Sequence, residues 1–158
     1  MTRLNTKLQS TGAEFLVLGN LLINGIQAYK AYENYPGYDL IAVNHNGQKY
    51  CRVQVKSRYP TDNGGGFPIK NFECDFVVFA ALNRGICYAK AKVISDDNSG
   101  VAEPVFYIFP VEVVSAAVKE TMTWSKVYLR DIADADKYRQ NWSLISDFLG
   151  VTLALLKK

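Results

Sequence analysis

Hydrophobic and polar residues alternate most clearly in residues 50–58, which read YCRVQVKSR. The apolar positions are Cys51, Val53 and Val55. The polar positions between them are Arg52, Gln54 and Lys56. A period of two residues is typical of a strand with one buried face. The pattern therefore predicts a strand whose second face is polar, and this face is either ordinary solvent-exposed surface or a functional site.

Longer patterns predict an α/β fold with strands and flanking helices. An apolar run predicts a first helix at residues 12–24, where Thr11 and Glu14 have capping-box spacing and Gly25 ends the helix. Strands are predicted at residues 26–32, 38–44, 49–57, 75–82, 86–94, 105–109 and 124–130, and further helices at 110–118 and 134–149.

Two further features of the pattern bear on packing. The strands at 75–82 and 86–94 are expected to pair, and the residues at 58–68, rich in glycine and proline, are expected to form a mobile loop. The last helix carries large apolar residues at helical spacing, which predicts a core-facing stripe. These residues are Tyr138, Trp142, Ile145 and Leu149.

Composition narrows the class of protein. With 158 residues, 49% of them hydrophobic and 21% charged, the chain has the profile of one globular domain spanning residues 1–158. A net charge of +3 permits an anionic partner but does not require one. Cys51, Cys74 and Cys87 lack metal-binding spacing, which predicts buried free thiols and a cytoplasmic location. No signal-peptide or membrane-spanning pattern is recognised, so no membrane partner is expected.

The turn signal Asn46-Gly47 sets a register for the strands on either side of it. A two-residue hairpin loop places Asp39 opposite Gln54, with Cβ atoms about 4.5–5.5 Å apart, and Lys56 one step further along that face. Apolar residues of both strands then share the opposite face, which supports the register independently. The sequence therefore predicts a contiguous cluster of Asp39, Gln54 and Lys56.

This cluster offers the donors of a site for a hard cation. The Asp39 carboxylate, the Gln54 side-chain oxygen and the backbone carbonyl of Val55 suit Mg²⁺, with Mn²⁺ as a substitute. Beside such an ion, the Lys56 ammonium can orient a water nucleophile and stabilise negative charge that develops on a phosphate. The alternative is that Gln54 and Lys56 belong to a solvated strand face without a function.

Glu14 has two interpretations. If the first helix packs across the polar face, Glu14 adds a second carboxylate to the cation site. Otherwise it serves only in the capping box with Thr11.

Other polar residues near the cluster also have alternative roles. Arg52 and Arg58 share a face with Gln54 and are expected either to bind phosphates or to be ordinary surface residues. Asp75 either begins the next strand or lies near the site. His45, the only histidine, is expected to be exposed beside the turn, which excludes histidine-based catalysis and a zinc mechanism.

Three short segments resemble the PD-(D/E)XK nuclease superfamily, which includes restriction enzymes, Holliday-junction resolvases and group I intron homing endonucleases. They are Glu14 on the first helix, Gly37-Tyr38-Asp39-Leu40 and Val53-Gln54-Val55-Lys56. The resemblance covers residues 11–82 and implies a restriction-endonuclease-like αβββαβ core around one mixed sheet with flanking helices. Residues 83–158 then add C-terminal strands and a helix.

The resemblance also implies a role for each site residue. Asp39 is the metal-binding aspartate, Lys56 the catalytic lysine and Glu14 the helix-borne acid, while Gln54 replaces the usual second acid. Pro36 departs from the superfamily pattern because it precedes Asp39 by three residues rather than one. The segment before residue 75 is short, so only one turn of the second helix is expected, at residues 71–74.

We therefore expect a Mg²⁺-dependent endonuclease that hydrolyses phosphodiester bonds in double-stranded or branched DNA. Cleavage of both strands favours a homodimer or homotetramer, with the apolar residues 150–158 as a candidate contact. Two alternatives stay open. They are a noncatalytic nucleic-acid-binding module on the same fold and a protein-interaction domain without a nucleic-acid partner.

Overall fold

The structure, a computed structural model, describes residues 6–32, 37–61, 66–88, 93–94, 98–120 and 125–151. Its helices are α1 (Thr6–Ile23), α2 (Val111–Ala117) and α3 (Ser143–Leu149), with 3₁₀ turns at Leu129–Asp131 and Ala135–Tyr138. Its strands are β1 (Gln27–Lys30), β2 (Leu40–Val43), β3 (Tyr50–Arg58), β4 (Gly66–Pro68), β5 (Phe76–Ala81), β6 (Cys87–Tyr88), β7 (Val93–Ile94), β8 (Val105–Pro110), β9 (Lys119–Glu120) and β10 (Ser125–Tyr128).

Five strands form the main sheet, in the order β1-β2-β3-β5-β8. β3 and β5 are parallel, and the other neighbouring strands are antiparallel. This arrangement confirms the predicted mixed sheet. β3, the strand with the polar face, lies at the centre and pairs with β2 up to Val53 and with β5 from Val53 onwards.

The main sheet has a hydrophobic core on each face. On the first face α1 contributes Ala13, Val17 and Leu21, which lie on one side of the helix because they are four residues apart. α3 packs on the same face. The second face is covered by α2 and by a small sheet of order β4-β10-β9. Burial on both sides explains why β5 is apolar at every position instead of alternating.

The segment between β3 and β5 differs from the prediction. Gly66–Pro68 forms β4 by pairing with the distant β10, so this part of the predicted loop is a strand. Residues 62–65 of that loop lie outside the described residues. The helical turn expected at 71–74 is wrong, because these residues have no helical structure.

The strand predicted at 86–94 is also wrong. Cys87–Tyr88 and Val93–Ile94 are two short strands that pair with each other, and residues 89–92 lie outside the described ones. β5 does not pair with this segment, since β3 and β8 already occupy its two edges.

The helix predicted at 134–149 is interrupted. Tyr138 ends a 3₁₀ turn and packs in the core of the second face, whereas Trp142 packs in the core of the first. Residues four apart lie on the same side of a continuous helix. One continuous helix therefore cannot place Tyr138 and Trp142 on opposite faces of the sheet. The chain turns at Gln140, whose φ is 51° and whose N–H donates to the Phe106 carbonyl at 2.7 Å. The predicted burial is confirmed for Tyr138, Trp142, Ile145 and Leu149.

Several local predictions hold. Cys51 and Cys74 are buried free thiols, while the side chain of Cys87 lies outside the described ones. His45 is exposed beside the turn. Within the part of the chain that the structure describes, no helix is long and apolar enough to cross a membrane.

Candidate active site

The hairpin of β2 and β3 has the predicted register. Leu40 pairs with Val53, which places Asp39, the residue before β2, level with Gln54. At the turn Gly47 has a φ of 67°, a conformation that glycine adopts without strain. The predicted two-residue loop is wrong, because the Gly47 N–H donates to the Asn44 carbonyl and the Asn44 N–H donates to the Lys49 carbonyl, both at 2.9 Å, which leaves residues 45–48 in the turn. The register is nevertheless the predicted one, since residues 44 and 49 are opposite each other in either turn.

Asp39 occupies an open position beside β3. Its carboxylate Oδ2 accepts the Val55 N–H at 2.7 Å, and its own N–H donates to the Val53 carbonyl at 2.9 Å. Because the β2 ladder ends at Leu40, the carboxylate replaces a backbone partner for Val55. Both backbone groups of a strand residue face the same neighbour, so the Val55 carbonyl also lies on the Asp39 side of β3.

Gln54 is buried on the second face of the sheet and is only 8% exposed. Its side-chain Oε1 is buried and has no hydrogen-bond partner among the described residues. Burying an unsatisfied oxygen destabilises a fold by about 1–3 kcal/mol. Gln54 itself is therefore not part of a solvated strand face, and its Oε1 is an acceptor without a donor among the described residues.

Lys56 and Asp39 are both charged groups in a partly buried environment. Burial lowers the pKa of the Lys56 ammonium, and the Asp39 carboxylate partly offsets this by raising it. Burial raises the pKa of Asp39, while the Val55 N–H lowers it and the Glu14 carboxylate raises it. Each charge is thus less stable here than in water, which is typical of functional sites.

Glu14 lies at the site, but both predictions of how it is placed are wrong. α1 packs on the first, apolar face, so the expectation that it crosses the polar face is wrong. The capping-box interpretation is also wrong, because α1 already includes Thr6, and the Thr11 hydroxyl donates to the Lys7 carbonyl within the helix at 3.0 Å. Glu14 instead forms an ion pair with Lys30 at 2.8 Å.

One cavity of about 320 Å³ collects the predicted residues, and we call it the Asp39 cavity. Its lining comprises Ser10, Glu14, Asp39, Gln54, Val55, Lys56, Ser57, Phe67 and Pro68. The sequence did not single out Ser10 or Ser57. Ser10 precedes Glu14 by one helical turn, so their shared side of α1 was a signal for it.

The donors in the Asp39 cavity fit a hard cation. Two carboxylates, the unpartnered Gln54 oxygen and the Val55 carbonyl are oxygen ligands of the kind that Mg²⁺ binds while it retains several waters. The described residues contain no group of three or more His, Cys, Asp or Glu side chains that could hold a metal. Gln54 is therefore the neutral member of a set with two acids, Asp39 and Glu14.

Arg52, Asp75 and Arg58 are not among the residues that line the Asp39 cavity. The Asp75 Oδ2 accepts the Arg52 Nε–H at 3.2 Å and the Arg52 backbone N–H at 2.7 Å. Asp75 thus joins the start of β5 to β3, in line with its interpretation as a strand-start residue. Arg58, at the end of β3, lines two other cavities.

Comparisons with known proteins bear on the fold. No model of a known family matches the chain, and no curated protein matches it in sequence. The bacterial homing endonuclease I-Ssp6803I aligns with a TM-score of 0.58 and 22% identity, over 90% of this chain and 93% of its own. The Holliday junction resolvase of the archaeal hyperthermophile Archaeoglobus fulgidus aligns with a TM-score of 0.47 and 16% identity, over 91% of this chain and 98% of the resolvase chain. The first likeness confirms the restriction-endonuclease-like fold that the resemblance implied.

Proposed function

We propose that this chain, which has the fold of PD-(D/E)XK nucleases, is a Mg²⁺-dependent endonuclease that hydrolyses phosphodiester bonds in double-stranded or branched DNA. The observation that carries the proposal is the buried, unpartnered Oε1 of Gln54, a residue that lines one cavity together with Asp39 and Lys56. The likeness in fold to a bacterial homing endonuclease supports the same class of reaction.

Oxygen donors from three parts of the chain would hold the ion. They are the Asp39 and Glu14 carboxylates, the Gln54 Oε1 and the Val55 carbonyl. When bound, Mg²⁺ lowers the pKa of a coordinated water and screens the charge of the phosphate. Asp39 needs little rearrangement for this role, because its hydrogen bond to Val55 already fixes the carboxylate.

Lys56 would act on the phosphate. As a water oxygen adds to phosphorus and the bond to the leaving oxygen breaks, the ammonium stabilises the negative charge on the phosphate oxygens. Partial burial strengthens this interaction, since the local dielectric is lower than that of water. The Asp39 carboxylate raises the pKa of Lys56 and so favours its protonated form.

Cutting both strands with one such site per chain favours a symmetric homodimer or homotetramer. Of the candidate contact at residues 150–158, Val151 is buried in the core of the first face, and residues 152–158 lie outside the described ones. α1 offers another apolar surface for a second copy of the chain. Its exposed residues at seven-residue spacing are Leu8, Phe15 and Leu22.

Incubation with supercoiled plasmid and with a four-way DNA junction, in Mg²⁺, Mn²⁺ or EDTA, tests the proposal. We expect cutting only with metal, loss of cutting in Lys56→Met and normal cutting in the control Lys49→Met. Lys49 lies beside the hairpin turn, at the other end of β3. Salt-sensitive DNA binding without cutting would indicate the noncatalytic module, which the neutral Gln54 favours. Neither binding nor cutting would indicate a protein-interaction domain.

A further inference from the structure

A second cavity adjoins the Asp39 cavity. It has a volume of about 700 Å³, and we call it the basic groove. Its lining residues are Ser57, Arg58, Gly66, Pro68, Lys119, Lys126 and Tyr128. Ser57 and Pro68 line both cavities, so the groove opens beside the candidate catalytic residues. β9 and β10, which supply part of its wall, lie outside residues 11–82, the part of the chain that carries the sequence resemblance.

The basic groove concentrates positive charge. Arg58, Lys119 and Lys126 line it, and none of its described lining residues is acidic. Lys119 is held by an ion pair with Asp131 at 3.1 Å. The Nζ of Lys126 lies 5.1 Å from the ring centre of Tyr128. Because Asp131 offsets the charge of Lys119, Arg58 and Lys126 supply most of the positive charge, and a described lining of cations without carboxylates favours an anionic occupant.

The position of Tyr128 depends on a glycine. Gly66 lies opposite Tyr128 in the β4–β10 pair. A Cβ at residue 66 would lie 2.8 Å from Cδ1 of Tyr128 and 2.6 Å from the Val127 carbonyl oxygen, so any side chain there would displace the ring or the strand. The guanidinium of Arg130 also lies near this ring, with Cζ 4.6 Å from its centre. The close approach of Gly66 therefore restricts where the Tyr128 ring can lie, and Lys126 and Arg130 lie next to that ring.

Arg58 connects the groove to the candidate catalytic strand. It follows Lys56 by two residues on one side of β3, a separation of about 7 Å along the strand. Phosphates along one DNA strand rise by about 3.4 Å per nucleotide, so Lys56 and Arg58 can contact phosphates one or two nucleotides apart. Arg58 also lines a third cavity, of about 290 Å³, together with Arg139. Asp136 lines the third cavity as well, so the described lining is wholly without acids only in the basic groove.

We propose that the basic groove binds the backbone of the DNA strand next to the phosphate that is cut. Lys126 and Arg58 contact phosphates, and the ring of Tyr128 packs against the strand and orients Lys126. The inference rests on the proposed endonuclease function and names where its substrate lies. Lys126 is therefore a positioning residue and takes no part in the chemical step.

Lys126→Ala tests the groove against the matched control Lys49→Ala. Lys49 also places its ammonium over an aromatic ring, 4.8 Å from the centre of Phe148, but beside the hairpin turn. Affinity for a fluorescent DNA duplex is measured by anisotropy in EDTA over a series of salt concentrations. Loss of one phosphate contact reduces the slope of log K against log salt by about 1. We expect this reduction in Lys126→Ala, restoration of the slope in Lys126→Arg and no change in Lys49→Ala.

Cleavage kinetics separate this inference from the proposed function. In Lys126→Ala we expect a several-fold increase in KM with an unchanged kcat at saturating DNA. If the protein cuts DNA in a metal-dependent way but Lys126→Ala keeps the wild-type salt slope, the proposed role of the basic groove is wrong and the proposed endonuclease activity is supported. A reduced slope in a protein that never cuts DNA would support the groove and overturn the endonuclease. A wild-type protein that neither binds nor cuts DNA would overturn both.

Discussion

The carboxylate of Asp39 and the backbone N–H of Val55 form a 2.7 Å hydrogen bond that joins β3 to the residue before β2. This bond gives Asp39 a structural role in addition to its candidate role as a ligand. It also holds the carboxylate beside the Val55 carbonyl, so two of the proposed oxygen donors are positioned before any ion binds.

The raised pKa of Asp39 predicts how metal binding depends on pH. The carboxyl group must lose its proton to bind a cation, so the affinity for Mg²⁺ rises with pH. Because the pKa of Asp39 is raised, this rise should occur at a higher pH than it would for an exposed aspartate. The folded state binds this proton more tightly than the unfolded state. Asp39 therefore contributes stability below its unfolded pKa, and this contribution is lost as pH rises through its folded pKa.

NMR titration of the Asp39 carboxyl carbon, with and without Mg²⁺, checks this prediction. Bound Mg²⁺ is expected to lower the pKa of Asp39, because a cation favours the ionised carboxylate. Asp39→Asn, which keeps an oxygen to accept the Val55 N–H, is expected to retain its thermal stability and lose metal binding. A pKa of Asp39 that does not respond to the ion would contradict the site.

Lys56→Met is expected to abolish cleavage while it maintains or increases the free energy of unfolding, because burial already disfavours the ammonium. The folded pKa of Lys56 lies below its unfolded value, so wild-type stability gains from this residue as pH rises towards about 10.4. The variant lacks that gain. Urea unfolding at two pH values and single-turnover cleavage measure the two effects. A large loss of stability in the variant would assign Lys56 a structural role instead.

Substitutions of Gln54 separate stability from metal binding. Gln54→Met removes the unsatisfied Oε1 at similar volume, so we expect an increase of about 1 kcal/mol in the free energy of unfolding and a loss of metal affinity. Gln54→Glu adds a negative charge without lengthening the side chain and is expected to bind metal at least as tightly as wild type. Calorimetric titration with Mg²⁺ compares the three proteins. Equal affinities in all of them would remove Gln54 from the ligand set.

Glu14→Gln is expected to weaken metal-dependent cleavage strongly, because it removes one of the two carboxylates that the described residues contribute to the Asp39 cavity. The substitution also breaks the ion pair with Lys30, whose partners are partly exposed, so the stability lost should be about 0–1 kcal/mol. Lys30→Met is the matched control, since it breaks the same ion pair and keeps the carboxylate. If both variants lose cleavage equally, the effect belongs to the ion pair and not to a bound metal.

Local signals in the sequence predict which residues of the site lie next to each other on adjacent strands. Long-range packing determines how the helix that carries Glu14 lies against the sheet. The Asn46-Gly47 turn sets the pairing of two adjacent strands, which is why Asp39 and Gln54 could be placed level with each other. The face against which α1 packs depends on the whole sheet. The sequence therefore identified Glu14 as a candidate but predicted the wrong path to the cavity.

The small sheet escaped prediction for a related reason. β4 and β9 are three and two residues long, too short to show a periodic pattern. β4 joins the sheet by pairing with β10, which follows it at a distance in the chain. Local pattern analysis cannot detect such a pairing, so it also missed Lys126 and Tyr128.

The central position of β3 has a consequence for how the molecule opens. This strand pairs with β2 up to Val53 and with β5 from Val53 onwards, and it lies between the two cores, so its hydrogen-bonded backbone amides should exchange with solvent more slowly than those of short edge strands. β4 and β9, short strands at the edges of the small sheet, should exchange through local fluctuations at lower free energy. The candidate chemistry thus lies on a more slowly exchanging strand, and the basic groove borders faster ones. Substitutions in the groove can change how tightly DNA is bound without loosening the strand that carries Gln54 and Lys56.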